Sequence, residues 1–432
     1  HLGCLRPGVR RRRNRAINMK QMTWTRIFSS GCILVFALWA MFAAPLSQAG
    51  GGSVAQESRR QGEVTVELRP GSDINRVNAR HGTYVKNRIQ GNNDYLLGLR
   101  PPVNLDDSLR QMRADPDLLF TEPNYNYKPP EVRQVSHAFI DQVSHAFIDG
   151  QSPASFYSQP PVSNLNLAEA HAYSRGIGVK VAVLDTGLDF NHPLFVGRIA
   201  SPGYDFVDND SVPNDEPKGN GYGHGTFVAG LIALTAPDAM VMPLRVFNRD
   251  GIGTSFDIAR AIRFAADNGA TVINMSFGLT EQDELIRKAL NYAYRRAYMA
   301  ASAGNDNQDF IQFPAEALSR VLSVTATTAT DIKAPFANYH RQMAAAAPGV
   351  SLYSAYPGNR WAWWSGTSFS TVLVTGEAAL LLAMNPRLTP SDLDRLITSS
   401  GADIDSLNPS YQDKLGRRID YRAAITLLLS GQ

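Results

Sequence analysis

The sequence predicts an α/β protein, with a mainly parallel sheet flanked by helices over about residues 162–429 and a small α+β unit ahead of it at 63–128. Three observations carry that reading. Val179 to Leu184 is a near-continuous apolar run, which marks a parallel strand buried on both faces. Beyond it strand-like and helix-like segments alternate, the signature of a sheet wrapped by helices. Ahead of it, short strands interleave with helical stretches and end in an extended segment, as in a separate small module.

The 432-residue chain begins with His1 rather than Met, so residues 1–18 are expected to precede the true start at Met19 or Met22. From there Lys20 and Arg26 form a basic region, Cys32 to Ala44 an apolar core, and Ser47-Gln48-Ala49 a small-residue cleavage site. That is the pattern of a secretory signal peptide over 19–49. Its apolar run falls short of the roughly 18–20 residues that a membrane span needs. A cleaved signal and a secreted protein are expected, with an uncleaved membrane anchor as the alternative.

Both cysteines, Cys4 and Cys32, fall in this leader, so the exported part is expected to hold no disulfide and no cysteine-based metal site. The formal charge of +3 also misleads. Residues 1–49 hold eight of the 42 basic residues and no acid, which leaves 34 basic against 39 acidic residues elsewhere, a net of −5. No nucleic-acid partner is expected.

Residues 50–61 read as a spacer. The 63–128 unit is expected to contain a strand at Val64 to Leu68, a short helix at Ile74 to Arg80 and a strand at Tyr95 to Leu99. A helix at Leu105 to Arg113 and an extended segment at Leu118 to Tyr125 complete it. A linker over 129–160 carries a direct duplication, Gln134 to Asp141 repeated as Gln142 to Asp149. A tolerated duplication is favoured there over a metal site built from His137 and His145. In the larger domain, 161–432, an amphipathic helix at Phe256 to Asp267 leads to a strand at Ala270 to Met275. A helix to about Arg296 is expected to open with Thr280 and Asp283 as a capping box. Strands follow at Tyr298 to Ala303 and Val321 to Ala326, then an apolar helix at Thr371 to Met384.

Three polar residues stand where such an architecture presents chemistry, beyond strand ends or at helix entries. Asp185 ends the first parallel strand, and a carboxylate buried there needs a partner. His224 enters an apolar helix through Gly221-Tyr222-Gly223-His224-Gly225. Ser368 lies in Ser365-Gly366-Thr367-Ser368-Phe369-Ser370, at a turn where backbone N–H groups favour negative charge. Singly, each has a plain structural reading as a paired acid, a helix-entry histidine or an N-cap. Together they supply an orienting acid, a general base and a nucleophile.

With these three blocks, in the order Asp, His, Ser, the chain resembles the subtilisin-like serine proteases (subtilases) over roughly Leu165 to Leu429. The resemblance implies a subtilisin-like fold with Asp185, His224 and Ser368 as a triad. Ala301 to Asp306 resembles the family's oxyanion segment, with Asn305 as the side-chain donor beside the backbone N–H of Ser368. Ser276-Phe277-Gly278 and Ser302-Ala303-Gly304 resemble the two walls of the pocket for the residue preceding the scissile bond. Small residues there let substrate backbone pair as an added strand. Apolar or aromatic side chains are the family's expected preference in that pocket. Phe313-Pro314-Ala315 resembles a nearby turn with a cis peptide.

Tyr204 to Asn214 resembles a calcium loop of thermitase-like members, with Asp205, Asp208, Asp210 and Asn214 as oxygen ligands to a structural calcium. A solvated acidic loop is the alternative, and no cofactor is implied for catalysis. The 63–128 unit resembles the family's ferredoxin-like propeptide, an intramolecular inhibitor that is freed by a cut in the linker. Some positions depart from the family. Phe369-Ser370-Thr371-Val372-Leu373 replaces the usual Met-Ala-Ala/Ser-Pro-His, Phe227 replaces a histidine, and the loop from Leu234 to Pro237 lacks an insertion that carries a strong calcium site. Trp361, Trp363 and Trp364 are expected to pack rather than to bind substrate. The resemblance implies a secreted, self-processed, monomeric serine endopeptidase acting on polypeptides. The alternative is a catalytically silent binding protein on the same scaffold.

Overall fold

The computed structural model describes residues 58–102, 104–132, 147–148 and 153–431. The signal-like leader, both cysteines, His137, His145 and most of the duplicated linker lie outside the described residues.

The first described unit contains strands β1 (Arg59–Leu68), β2 (Thr83–Arg88), β3 (Asp94–Leu99) and β4 (Leu118–Tyr127), with helices Ile74–His81 and Leu105–Arg113. The strands pair antiparallel in the order β2-β3-β1-β4. This is the βαββαβ arrangement called ferredoxin-like. Asp73 and Asn104 cap the two helices through their side chains. Val64, Val66 and Leu97 meet Val77, Leu109 and Met112 in a core of the unit's own. Strand β2 escapes sequence reading because it is a largely exposed edge without apolar alternation.

The larger body adds β5 (Phe147–Ile148), β6 (Lys180–Asp185), β7 (Tyr204–Asp205), β8 (Met240–Arg245), β9 (Gly253–Thr254) and β10 (Val272–Met275). There follow β11 (Tyr298–Ser302), β12 (Leu322–Thr327), β13 (Ala345–Pro348), β14 (Leu352–Tyr356), β15 (Arg360–Trp364) and β16 (Arg417–Arg418). Its main sheet runs β16-β13-β12-β11-β10-β6-β8-β7, and the paired strands are parallel. Because side chains alternate across a strand, Val181 and Val183 of β6 face one core and Ala182 and Leu184 the other. Helices His224–Thr235 and Thr367–Met384 fill the first core, Ser255–Asp267 and Glu284–Ala293 the second. Thr367–Met384 is apolar all round because it is buried among other elements.

The expected parallel strands fall at β6, β10, β11 and β12, while β8 and β13 were not anticipated. One cap differs from expectation. Asp283 is the N-cap of Glu284–Ala293 without Thr280, accepting from Ile286 N–H at 2.9 Å, while Thr280 donates to Glu281. That helix also stops at Ala293 rather than near Arg296.

The small unit is joined to this body along β4, which pairs antiparallel with β9 through Asn126–Thr254 and Tyr127–Gly253. Asn124 Oδ1 accepts from Phe256 N–H at 3.2 Å, and the Glu122 carboxylate accepts from Glu284 N–H at 3.2 Å and Leu285 N–H at 2.9 Å. The small unit thus supplies acceptors to the N-termini of two helices of the larger body. Lys288 adds ion pairs to Glu67 at 2.8 Å and Asp94 at 2.6 Å.

Candidate active site

Asp185 stands at the carboxyl end of β6, and its Oδ1 meets His224 Nδ1 at 2.8 Å. His224 opens its helix because Gly223 turns the chain with φ 87°, a left-handed conformation that suits glycine. Thr186 links the two elements, its Oγ1 accepting from Gly225 N–H at 2.9 Å.

Sequence reading missed Asp215, which holds the same junction. Its buried carboxylate accepts from Thr186 Oγ1, Gly223 N–H, Thr226 N–H and Thr226 Oγ1 at 2.8–3.3 Å. Burial pushes its carboxyl up to about 7, against the pull of these donors.

Ser368 lies in the first turn of Thr367–Met384. Its Oγ donates to the carbonyl of Ser276 at 3.2 Å and to Glu131 Oε2 at 2.6 Å. Ser276 Oγ in turn donates to the Ser368 carbonyl at 3.0 Å, fixing the turn from below. Asn305 turns its Oδ1 to Thr367 N–H at 3.0 Å and Thr367 Oγ1 at 2.8 Å, which leaves its Nδ2 to point across the site.

Glu131 fills the centre of this arrangement, and nothing in the sequence reading singled it out. Its Oε1 accepts from Asn305 Nδ2 at 3.0 Å and Ser368 N–H at 3.3 Å. Its Oε2 faces Ser368 Oγ at 2.6 Å and His224 Nε2 at 3.1 Å. The residue is 1% exposed. Burial works against a charged imidazole at His224, but the Asp185 charge, with hydrogen bonds to Asp185 and Glu131, lifts the ring to about 10.

The expected wall segments face each other across one side chain, the buried Gln312. A methyl carbon on Gly278 would come within 2.4 Å of Gln312 Oε1, and one on Gly304 within 2.7 Å of Gln312 Cδ. Gln312 Nε2 donates to Asp306 at 2.6 Å, and its Oε1 has no hydrogen-bond partner among the described residues. The crevice between Ser276-Phe277-Gly278 and Ser302-Ala303-Gly304 is therefore closed by an amide with an acid behind it. Gly278 N–H donates to the carbonyl of Lys128 at 3.3 Å, so the wall already carries an antiparallel partner. Phe313–Pro314 is cis, as the sequence suggested.

Trp364 and Phe369 pack their rings 5.5 Å from His224, and Phe227 lies 4.6 Å from Phe369. Phe227 and Phe369, two positions that depart from the family pattern, thus form with Trp364 an apolar floor under the imidazole. Trp361 packs on Phe156 and His192.

Asp205, Asp208, Asp210 and Asn214 line a cleft of about 780 Å³ together with Arg245. Asp205 Oδ2 meets Arg245 at 2.6 Å, Asp208 meets it at 2.7 Å and Glu216 at 2.9 Å. Asp210 Oδ1 accepts from Val212 N–H at 2.8 Å. Among the described residues no three acidic, histidine or cysteine side chains converge as metal ligands. Asp205 and Asp208, two of the four expected ligands, are engaged by Arg245, so the four do not converge as a calcium cage in this arrangement.

Residues 176–416 match the family profile described as "Subtilase family". Thermitase of Thermoactinomyces vulgaris is 39% identical over 224 residues, which span 49% of this chain and 78% of that protein. Subtilisin DY of Bacillus licheniformis is 33% identical over 260 residues, 56% of this chain and 90% of its own length. Among solved structures, fervidolysin from Fervidobacterium pennivorans, described as a keratinolytic enzyme related to subtilisin, superposes with a TM-score of 0.70 at 21% identity. That match covers 85% of this chain and 61% of fervidolysin, and it speaks for the fold. A cold-adapted subtilisin-like serine proteinase matches with a TM-score of 0.52 and 31% identity over 57% of this chain and 90% of its own.

Proposed function

The chain belongs to the subtilase family of serine-type endopeptidases, and on that premise we propose that Asp185, His224 and Ser368 are its triad, with Asn305 and the Ser368 backbone N–H as oxyanion donors. Ser368 Oγ attacks the carbonyl carbon of a polypeptide. His224 Nε2 takes the Oγ proton and passes it to the leaving amine, while Asp185 keeps Nδ1 protonated and steadies the charged ring. The two N–H donors hold the oxygen as it becomes negative. One side-chain donor of this kind is worth about 10²–10³ in turnover. Water activated by the same histidine then releases the acyl group and restores the serine.

The observation that carries this reading is the seat of the Glu131 carboxylate. Donors from Asn305, Ser368 and His224 close on one planar group at 2.6–3.3 Å, the place a reacting carbonyl would take. The leader pattern at 19–49 supports a secreted protein. The seating of Glu131, in the segment that follows β4, in the site supports a proenzyme that this same activity cuts within 129–160. Every donor comes from one chain, so the site needs no second copy and a monomer suffices.

A fluorophosphonate probe on wild type and Ser368→Ala, followed by intact mass, tests the reading. Wild type alone should take the label, together with a cut between 129 and 160. A folded, processed protein that refuses the probe would favour a silent binding protein.

A further inference from the structure

Strand β4 does not end at the module's edge. Its chain continues through Lys128, whose carbonyl pairs with Gly278, and reaches Pro129 and Pro130. There the backbone turns away in a single 3-10 turn, Pro130–Val132, closed by Val132 N–H to the Pro129 carbonyl at 3.0 Å. What enters the active centre is the Glu131 side chain, with one oxygen at the two oxyanion donors and the other between nucleophile and base.

The seat is shaped for it. A methyl carbon on Gly366 would fall 1.8 Å from Glu131 Oε1, and one on Gly251 would fall 2.7 Å from Val132 Cγ1. Glycines at these two positions leave room for residues 131 and 132 and for no larger neighbour.

We propose that Glu131 is an internal carboxylate inhibitor, and that this one side chain, for as long as it is seated, silences the site in the uncut chain. The inference rests on Ser368 being the nucleophile. Two effects combine. Oε1 saturates the donors on which an oxyanion depends, so no substrate carbonyl can be polarised. Oε2 and Asp185 Oδ1 then face the two ring nitrogens of His224, and both partners are acceptors, so both nitrogens carry hydrogen. A ring protonated at Nε2 cannot take the proton of Ser368. The centre is in this sense a carboxylate-binding site, and Glu131 is the ligand attached to the chain. The peptide carbonyls on either side of Glu131 do not occupy the oxyanion donors, so the segment blocks the site without offering a bond to cut there.

The test is the rate of fluorophosphonate labelling of uncut, full-length chain, scored by mass, for wild type, Glu131→Ala, Glu131→Gln and Glu131→Asp. Ala and Gln should label at least tenfold faster than wild type. Asp, one methylene short, should fall between. Thermal melts confirm that each variant is folded. Ala and Gln chains that label as slowly as wild type, while processed wild type labels readily, overturn the role of Glu131 and leave the serine-protease reading intact. Processed wild type that does not label sinks that reading itself.

Discussion

Burial alone would strip His224 of its proton, yet the carboxylates of Asp185 and Glu131 flank the ring and raise it to about 10. A group raised on binding holds its partner fully below its ordinary value near 6.5 and loses that hold as pH climbs through the raised one. Glu131 supplies part of that rise and Asp185 the larger part, so the grip of Glu131 on His224 should weaken as pH climbs toward 10. Measured as the ratio of labelling rates in processed and uncut protein, latency should shrink as pH rises, and Glu131→Gln should flatten that profile. A ratio unchanged from pH 6 to 10 would refute the charged-ring account. Asp185, His224 and Ser368 were legible because each breaks the pattern around it, as a polar residue at an apolar strand end, helix entry or glycine turn, and Asn305 only through the likeness of its segment to the family's. Glu131 was not. Its partner Ser368 lies 237 residues away, and the one local signal was a Pro-Pro pair fixing the approach of a single acid. Gln312 was hidden for the same reason, since only folding sets it between the two walls.

Secondary structure was readable where burial is simple and lost where neighbours decide. Strand β6 announced itself because both faces are covered. Strand β8 did not, since Pro243 lacks a donor and Arg245 ends the run. The fold tolerates Pro243 because β7 pairs with β8 only at Leu244 and Arg245. Strand β13 lies in a run of alanines, which intrinsic propensity reads as helix. At this scale Arg245 fastens β8 to the acidic loop after β7, and it is 2% exposed. Arg245→Met leaves Asp205 buried without its counter-charge, a cost of about 3–5 kcal/mol. In the inactive Ser368→Ala background, which cannot digest itself, thermal unfolding should show a fall of roughly 5–10 °C. Because the guanidinium already pairs with Asp205 and Asp208, a chelator should leave the Tm of the Arg245-bearing protein unmoved. A clear rise with added calcium would show that the carboxylates leave Arg245 for a metal.

Across the whole molecule, the join between the small unit and the larger body holds a second acid-favouring contact. Glu122 is pushed up to about 9 by burial and by the nearby charge of Asp283, although it caps Glu284–Ala293. Burial in the docked state thus favours its protonated form. That contribution is complete below about pH 4.5 and is lost as pH rises through about 9. Cleaved protein should stay associated on gel filtration at pH 5 and separate near pH 9. Glu122→Gln, which keeps the shape and cannot ionise, should remain associated at both, and separation of both proteins alike would place the dependence elsewhere. The continuity of β4 with the Glu131 segment carries one more consequence. In the uncut chain the carboxylate competes from within the same molecule, at an effective concentration set by the chain that connects it to the site. Once the linker is cut, the inhibitor becomes a separate solute and its occupancy follows the surrounding volume. Dilution then acts as the timer of activation, and a freshly cut sample gains activity per molecule as it is diluted.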